Sequence, residues 1–372
     1  MRRSTRMARF RSILCPADFS AQSGDAIRHA AHVARRSGGR LTVLFVYDPL
    51  LLAAAAAVYH RRLELVQRTQ VELEQFVKRS IGPGAWARGH VGCTVAQGDP
   101  ADSILRAAKR LRTDLIVMGT HGLSGSERLF FGSTTEQVLR RITAPVLAIP
   151  RSEPLGKSRR RAQGAVPAIA RVIAPLDLDG DWTHDVNGAM DIARWFGAEL
   201  LLVYVVPRLQ VPPWLHPNVE AHDRIRAAEA LRILEQVRST LPAGVRSACR
   251  VLVGNPADEI AALARTSPES MVAMTLHGED RMFVRRGAIA YRVLTRAVAP
   301  VLALPRRVRR HKSGSARSAN RLRQMAAALR DAMAGALMER DRREMAAVDA
   351  LLAAHLPRAT DRKPRRPPHR KN

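Results

Sequence analysis

The sequence predicts an α/β protein made of two tandem parallel-sheet domains. Two observations carry this. Apolar runs of strand length alternate with amphipathic segments of helix length, as in a parallel sheet with helices on both faces. The alternation then restarts midway. ARVIAPLDLDG (170–180) repeats RSILCPADFS (11–20), and AELLLVYVV (198–206) repeats GRLTVLFVY (39–47). VGNPADEIAALA (253–264) repeats QGDPADSILRAA (97–108), and VAPVLALP (298–305) repeats TAPVLAIP (143–150). This internal duplication dominates the organisation of the chain.

Within the first copy, residues 12–17 read as a strand ending at Asp18. Residues 20–36 read as a helix with Ala26, Ile27, Ala30, Val33 and Ala34 on one side, stopped by Gly38 and Gly39. Residues 41–47 are continuously apolar, as a strand inside a parallel sheet should be. A helix over 63–77 and a strand over 88–96 follow. Gly98-Asp99-Pro100 opens the next helix, carrying Ile104, Leu105, Ala108 and Leu111. Leu115–Met118 is a buried strand that ends at Gly119. From Ser133 a helix places Val138, Leu139 and Ile142 on one face, Pro145 stops it, and Val146–Ile149 is the last strand.

Composition bounds the rest. With 46% apolar and only 4% aromatic residues, the cores must be aliphatic. Cys15, Cys93 and Cys249 offer neither metal-ligand spacing nor a disulfide framework, which fits a reducing cytosol and a cytoplasmic location. The basic N-terminus has no apolar stretch behind it of the kind a signal peptide needs, and no run is long and apolar enough to span a bilayer. The net charge of +28 permits nucleic acid, polyphosphate or an anionic membrane surface as partner. Residues 306–372 carry 19 Lys and Arg against 6 Asp and Glu, so nearly half of that excess lies outside the duplicated region. There, residues 316–356 predict an amphipathic helix through Leu322, Met325, Leu329, Met333 and Leu337, followed by a basic, Pro-rich end.

The chemistry concentrates in Gly119-x2-Gly122-x9-Gly132-Ser133-Thr134, between a strand and a helix. Glycines let backbone approach a ligand, and a helix N-terminus offers unpaired amides and a positive dipole end to an anion. Ser133 and Glu136 also fit a capping box, which needs no ligand. No lysine precedes Ser133, so this is not a Walker A loop. In the second copy Thr275 stands for Gly119, Gly278 and Gly287 lie one residue closer together, and Ala288 replaces Ser133. Arg285 and Arg286 precede that last glycine and could hold a phosphate, but a degenerate structural copy is the simpler reading.

This glycine spacing, with its flanking strands and helix, resembles the nucleotide-binding signature of the universal stress protein family. The resemblance covers about residues 10–152 and 169–306. It implies two Rossmann-like domains of the adenine nucleotide alpha hydrolase type. Each would be an open five-stranded parallel sheet of order 3-2-1-4-5, with a ligand crevice between its first and fourth strands. Boundaries follow at 8–152, a basic linker at 153–168, 169–306, and a tail at 307–372. The resemblance assigns nucleotide contacts to Pro16, Ala17, Asp18, Ser20, Val46, Met118, Gly119, His121, Gly122, Gly132, Ser133 and Thr134. Asp18 would serve the ribose or adenine side and Val46 the adenine, while the glycine loop, Ser133 and Thr134 would hold the phosphates. Asp18 could equally cap the following helix. The implied ligand is ATP, with or without Mg, or else ADP or AMP.

No catalytic or metal-binding set is evident, and the resemblance implies ATP binding with hydrolysis slow or absent in many members. The expected function is a stress-response sensor or regulator that binds adenine nucleotide in domain 1. The alternative is a nucleic-acid or polyanion-binding protein acting through its tail, with the sheets as scaffold. A flavoprotein-like electron-transfer domain is disfavoured, since no flavin contact is evident. The near-identical apolar strands 145–149 and 300–304 would each be a sheet edge. An unpaired apolar edge is a hazard, so the two copies are expected to pair through them as a pseudo-dimer.

Overall fold

The computed structural model describes residues 10–47, 62–86, 90–120, 132–150, 166–178, 182–208, 219–267, 269–276, 289–296 and 298–305. The chain divides into two units, 1–310 and 311–372. The expected tail helix at 316–356 and most of the linker at 153–168 lie outside the described residues.

The first repeat runs β1 (Ser12–Pro16), α1 (Ala21–Ser37), β2 (Arg40–Tyr47), α2 (Arg62–Ile81), α3 (Pro83–Trp86), β3 (Val91–Gln97), α4 (Pro100–Arg110), β4 (Leu115–Gly119), α5 (Ser133–Arg140) and β5 (Val146–Ile149). The second runs β6 (Arg171–Pro175), α6 (Thr183–Phe196), β7 (Glu199–Val206), α7 (Val219–Ser239), β8 (Ser247–Val253), α8 (Pro256–Thr266), β9 (Ser270–Leu276), α9 (Ile289–Arg296) and β10 (Val301–Pro305). Helix α2 extends one turn past the expected end at 77, and β3 begins three residues after the expected start at 88.

The ten strands form one sheet of order β3-β2-β1-β4-β5-β10-β9-β6-β7-β8. Each half has the order 3-2-1-4-5, parallel throughout. The exception to parallel pairing is at the seam, where β5 runs antiparallel to β10 with Leu147 opposite Leu302. Every residue of β5 is buried, so this edge could not face water at low cost. One apolar core runs across the seam on the face covered by α4, α5, α8 and α9, and includes Ile104, Val138, Leu139, Ile260, Val293 and Leu294. The duplication extends to ion pairs. Arg141 with Asp102 joins α5 to α4 at 2.6 Å, and Arg296 with Asp258 joins α9 to α8.

The other face meets at the ends of α1 and α6. The Phe10 ring packs edge-on to Trp195 at 5.2 Å, and the Arg36 guanidinium lies 5.3 Å from the Trp195 ring centre. Arg36 Nη2 also donates to the Trp195 carbonyl at 3.0 Å, placing a cation on the negative end of α6. By alignment of the repeats Arg36 and Trp195 are equivalent residues. A symmetric pair would set Arg against Arg; here the two copies have diverged into complementary partners.

Candidate functional site

The crevice of the first repeat opens where β1 and β4 end and part. Past β1, the Ala17 amide still donates to Leu44 O at 2.9 Å. Two residues beyond Leu44, Val46 presents backbone groups on that same side, past the last β1 partner. The chain then turns tightly. Asp18 Oδ1 accepts the Ser20 amide at 3.0 Å, and Phe19 between them is held at φ 63°. Left-handed backbone at a bulky residue stores strain, which the surrounding packing must hold. The Phe19 ring is pinned between Phe45 (5.0 Å) and Phe76 (5.5 Å).

The N-cap of α1 is Ser20, whose Oγ accepts the Ser23 amide at 3.1 Å. The alternative reading of Asp18 as the cap is therefore corrected: Asp18 shapes the turn that precedes the helix. Its carboxylate sits half-buried at the crevice mouth.

On the other wall, Met118 is buried and Gly119 pairs with Ile149. The Thr120 amide donates to Ile149 O at 3.0 Å, and Thr120 O accepts the Gly132 amide at 3.0 Å. The two ends of the connecting segment therefore close on each other. His121 and Gly122 lie outside the described residues. Helix α5 is capped by Gly132 without a side-chain cap bond. The capping-box reading is thereby corrected. Ser133 is the first helical residue, and Glu136 pairs forward with Arg140 at 2.5 Å instead of reaching back. The first amides of α5, at Ser133 and Thr134, precede the first intrahelical bond, which runs from the Glu136 amide to Gly132 O at 3.1 Å.

Three residues that sequence reasoning passed over help build the site. Thr135 is buried and donates its hydroxyl to Gly119 O at 3.0 Å, locking the helix start onto the strand end. Thr120 is 2% exposed, and its Oγ1 accepts from Gln22 Nε2 at 3.4 Å. Gln22 is itself buried, one turn before Ala26 on the helix face that packs inward. A glutamine on an apolar helical face was the available signal.

A groove of about 550 Å³ lies beside this crevice, between α1 and α2, against Phe19, Gly24, Arg28 and Phe76. Its Arg28 is already paired with Asp25. It is open to the outside of the helices and does not reach the strand ends that the glycines border.

Larger residues stand at the equivalent positions of the second repeat. Leu176, buried, takes the place of Ala17, and its amide repeats the bond by donating to Val203 O at 2.8 Å. The register places Thr275 at the Gly119 position, and its buried Oγ1 has no hydrogen-bond partner among the described residues. Helix α6 starts late, and buried Trp182 stands where α1 has Ser23. Val205 is buried where Val46 is half-buried.

The model of the Universal stress protein family matches residues 9–150 and 169–305. A universal stress protein of Methanocaldococcus jannaschii is 30% identical over 142 residues, covering 38% of this chain and 82% of the relative. A universal stress protein of Thermus aquaticus is 32% identical over 146 residues, 38% of this chain and 98% of the relative. Among solved structures, a universal stress protein of Archaeoglobus fulgidus superposes with a TM-score of 0.53 at 19% identity, over 80% of this chain and 97% of its own, a likeness of fold.

Proposed function

We propose an adenine-nucleotide function for this chain, which belongs to the universal stress protein family: the first repeat binds ATP, or ADP or AMP, and the protein acts as a nucleotide-responsive regulator in a stress response. The observation that carries the reading is the contrast between the two crevices. The first is bordered by Ala17, Gly119 and the first-turn amides of α5, which precede its first intrahelical bond. The second has the larger Leu176 and Thr275 at the equivalent positions, and Trp182 where the first has Ser23. Small residues beside a helix start leave room for phosphate and supply donors to it.

In this reading Gly132, Ser133 and Thr134 hold the phosphates through amides and hydroxyls, and His121 and Gly122 complete the loop. Pro16, Ala17, Ser20 and Met118 form the walls. Asp18 accepts from the ribose or adenine side, and Val46 offers backbone to the base. The second repeat serves as a structural partner through β5 and β10, the two together behaving as a pseudo-dimer.

Isothermal titration with ATP, ADP, AMP and cAMP, together with mass identification of co-purified nucleotide, tests the reading. The double variant Ala17→Leu/Gly119→Thr gives the first crevice the residues of the second. It should lose binding while keeping its thermal midpoint within a few degrees. Wild-type affinity in this variant would overturn the assignment.

A further inference from the structure

In a parallel α/β unit the strand beginnings and the helix ends share one rim. In the first repeat this rim, opposite the crevice, gathers Arg11, Arg40, Lys109, Arg110 and Arg112, all exposed. Hydrogen bonds hold the segments that carry them side by side. The Arg40 amide donates to Arg11 O at 2.7 Å, Ser12 Oγ to Leu111 O at 3.0 Å, and the Arg112 amide to Lys109 O at 3.2 Å. The acid beneath, Asp114, spends its carboxylate on the Arg11 and Ser12 amides at 2.9 and 3.2 Å. Among the described residues none of the five cations makes an ion pair.

Two facts separate this patch from an incidental basic surface. The fold does not require it: the second repeat has Ala170 and Glu199 at the positions of Arg11 and Arg40, with Glu199 paired to Arg171 at 2.8 Å. Thr266 stands for Arg110, while Arg265 keeps the charge of Lys109, so Arg11, Arg40 and Arg110 have no cationic counterpart. Also, Arg112 is held at φ 50°, a conformation glycine or asparagine would adopt more cheaply.

We propose that this rim is a docking surface for the phosphate backbone of double-stranded DNA. Four of the five cations are arginines, whose planar fork suits phosphate. The large exposed apolar residues among those described are Val71, Ile225, Leu231, Ile289 and Val298, none of them on this rim. The rim therefore lacks the aromatic platforms that single strands stack on and the apolar wedge that membrane insertion needs. A regular array of phosphates is the polyanion such a surface fits, read without base specificity. The overall charge of +28 steers the encounter.

The test uses the full chain, so that any contribution of the tail is constant. Binding of a mixed-sequence DNA duplex is measured against salt for the wild type and two variants that lose equal charge. Arg40→Gln/Lys109→Gln/Arg110→Gln strips the rim, and Arg208→Gln/Arg250→Gln/Arg265→Gln strips exposed sites of the second repeat. Each phosphate contact contributes about 0.9 to the slope of log K against log salt, so the rim variant should lose roughly 2–3 of slope and about a hundredfold in affinity near 0.1 M salt. The second variant should change by less than about threefold in the same measurement. Equal losses in both variants overturn the proposal, because they would report diffuse charge. So do an unchanged rim variant, a wild type that does not bind duplex at low salt, and a rim variant that loses binding to anionic vesicles but keeps binding to DNA.

Discussion

Gly132 begins α5 at φ −58°, a conformation open to any residue, so its glycine is not explained by the backbone. In the proposed site the missing side chain lets a phosphate approach the amides of Ser133 and Thr134. Gly132→Val should therefore abolish nucleotide binding while leaving the fold intact. Each charge-assisted hydrogen bond lost is worth about 1.5–3 kcal/mol, a tenfold or greater drop per bond in titration. Normal binding by this variant would show that the glycine serves only the turn. Histidine offers a second prediction. His29 is half-buried in α1, its Nδ1 2.9 Å from Asp25 O, and burial, with the Arg28 charge beside it, pushes its pKa down to about 4. The unfolded chain then takes up a proton between about pH 6.5 and 4 that the folded one refuses. Stability tied to His29 is present above about pH 6.5 and is lost as pH falls toward 4, by up to about 3 kcal/mol. Urea melts across that range should show His29→Gln losing less stability on acidification than the wild type.

At the scale of elements, much was legible because the code was periodic. Strands buried on both faces read as unbroken apolar runs, and the repeated sequence fixed which segments correspond. The misjudged places are those where side chains compete for one backbone site. Ser133-x-x-Glu136 reads as a cap, yet Gly132 takes the cap position, Thr135 bonds to Gly119 O, and Glu136 pairs with Arg140. Gln22 and Thr120 meet from positions 98 residues apart, a pairing that only the sheet order creates. The clamp of Arg36 on Trp195 was illegible for the same reason, since it joins two helices 159 residues apart across the seam. Arg36→Ala removes both the guanidinium over the ring and the cation at the end of α6. It should cost about 1 kcal/mol in chemical denaturation and shift the Trp195 emission, whereas Arg36→Lys should keep part of each. An unchanged melt and spectrum would show the clamp to be energetically idle.

For the whole molecule, the consequence lies in the seam between β5 and β10. Two separate chains meeting at such a seam would pair only to the extent that their concentration allowed. Here both halves belong to one polypeptide, and a short tether supplies an effective local concentration of the order of millimolar whatever the abundance of the protein. A cell can then make very few copies and still have every one of them paired. The occupied fraction should follow nucleotide concentration alone. Affinities measured across a thousandfold range of protein concentration should coincide, and a midpoint that drifts with dilution would mean that further copies must assemble before the ligand is held. Duplication within one chain also lets equivalent positions differ, so that Arg36 of one half can meet Trp195 of the other.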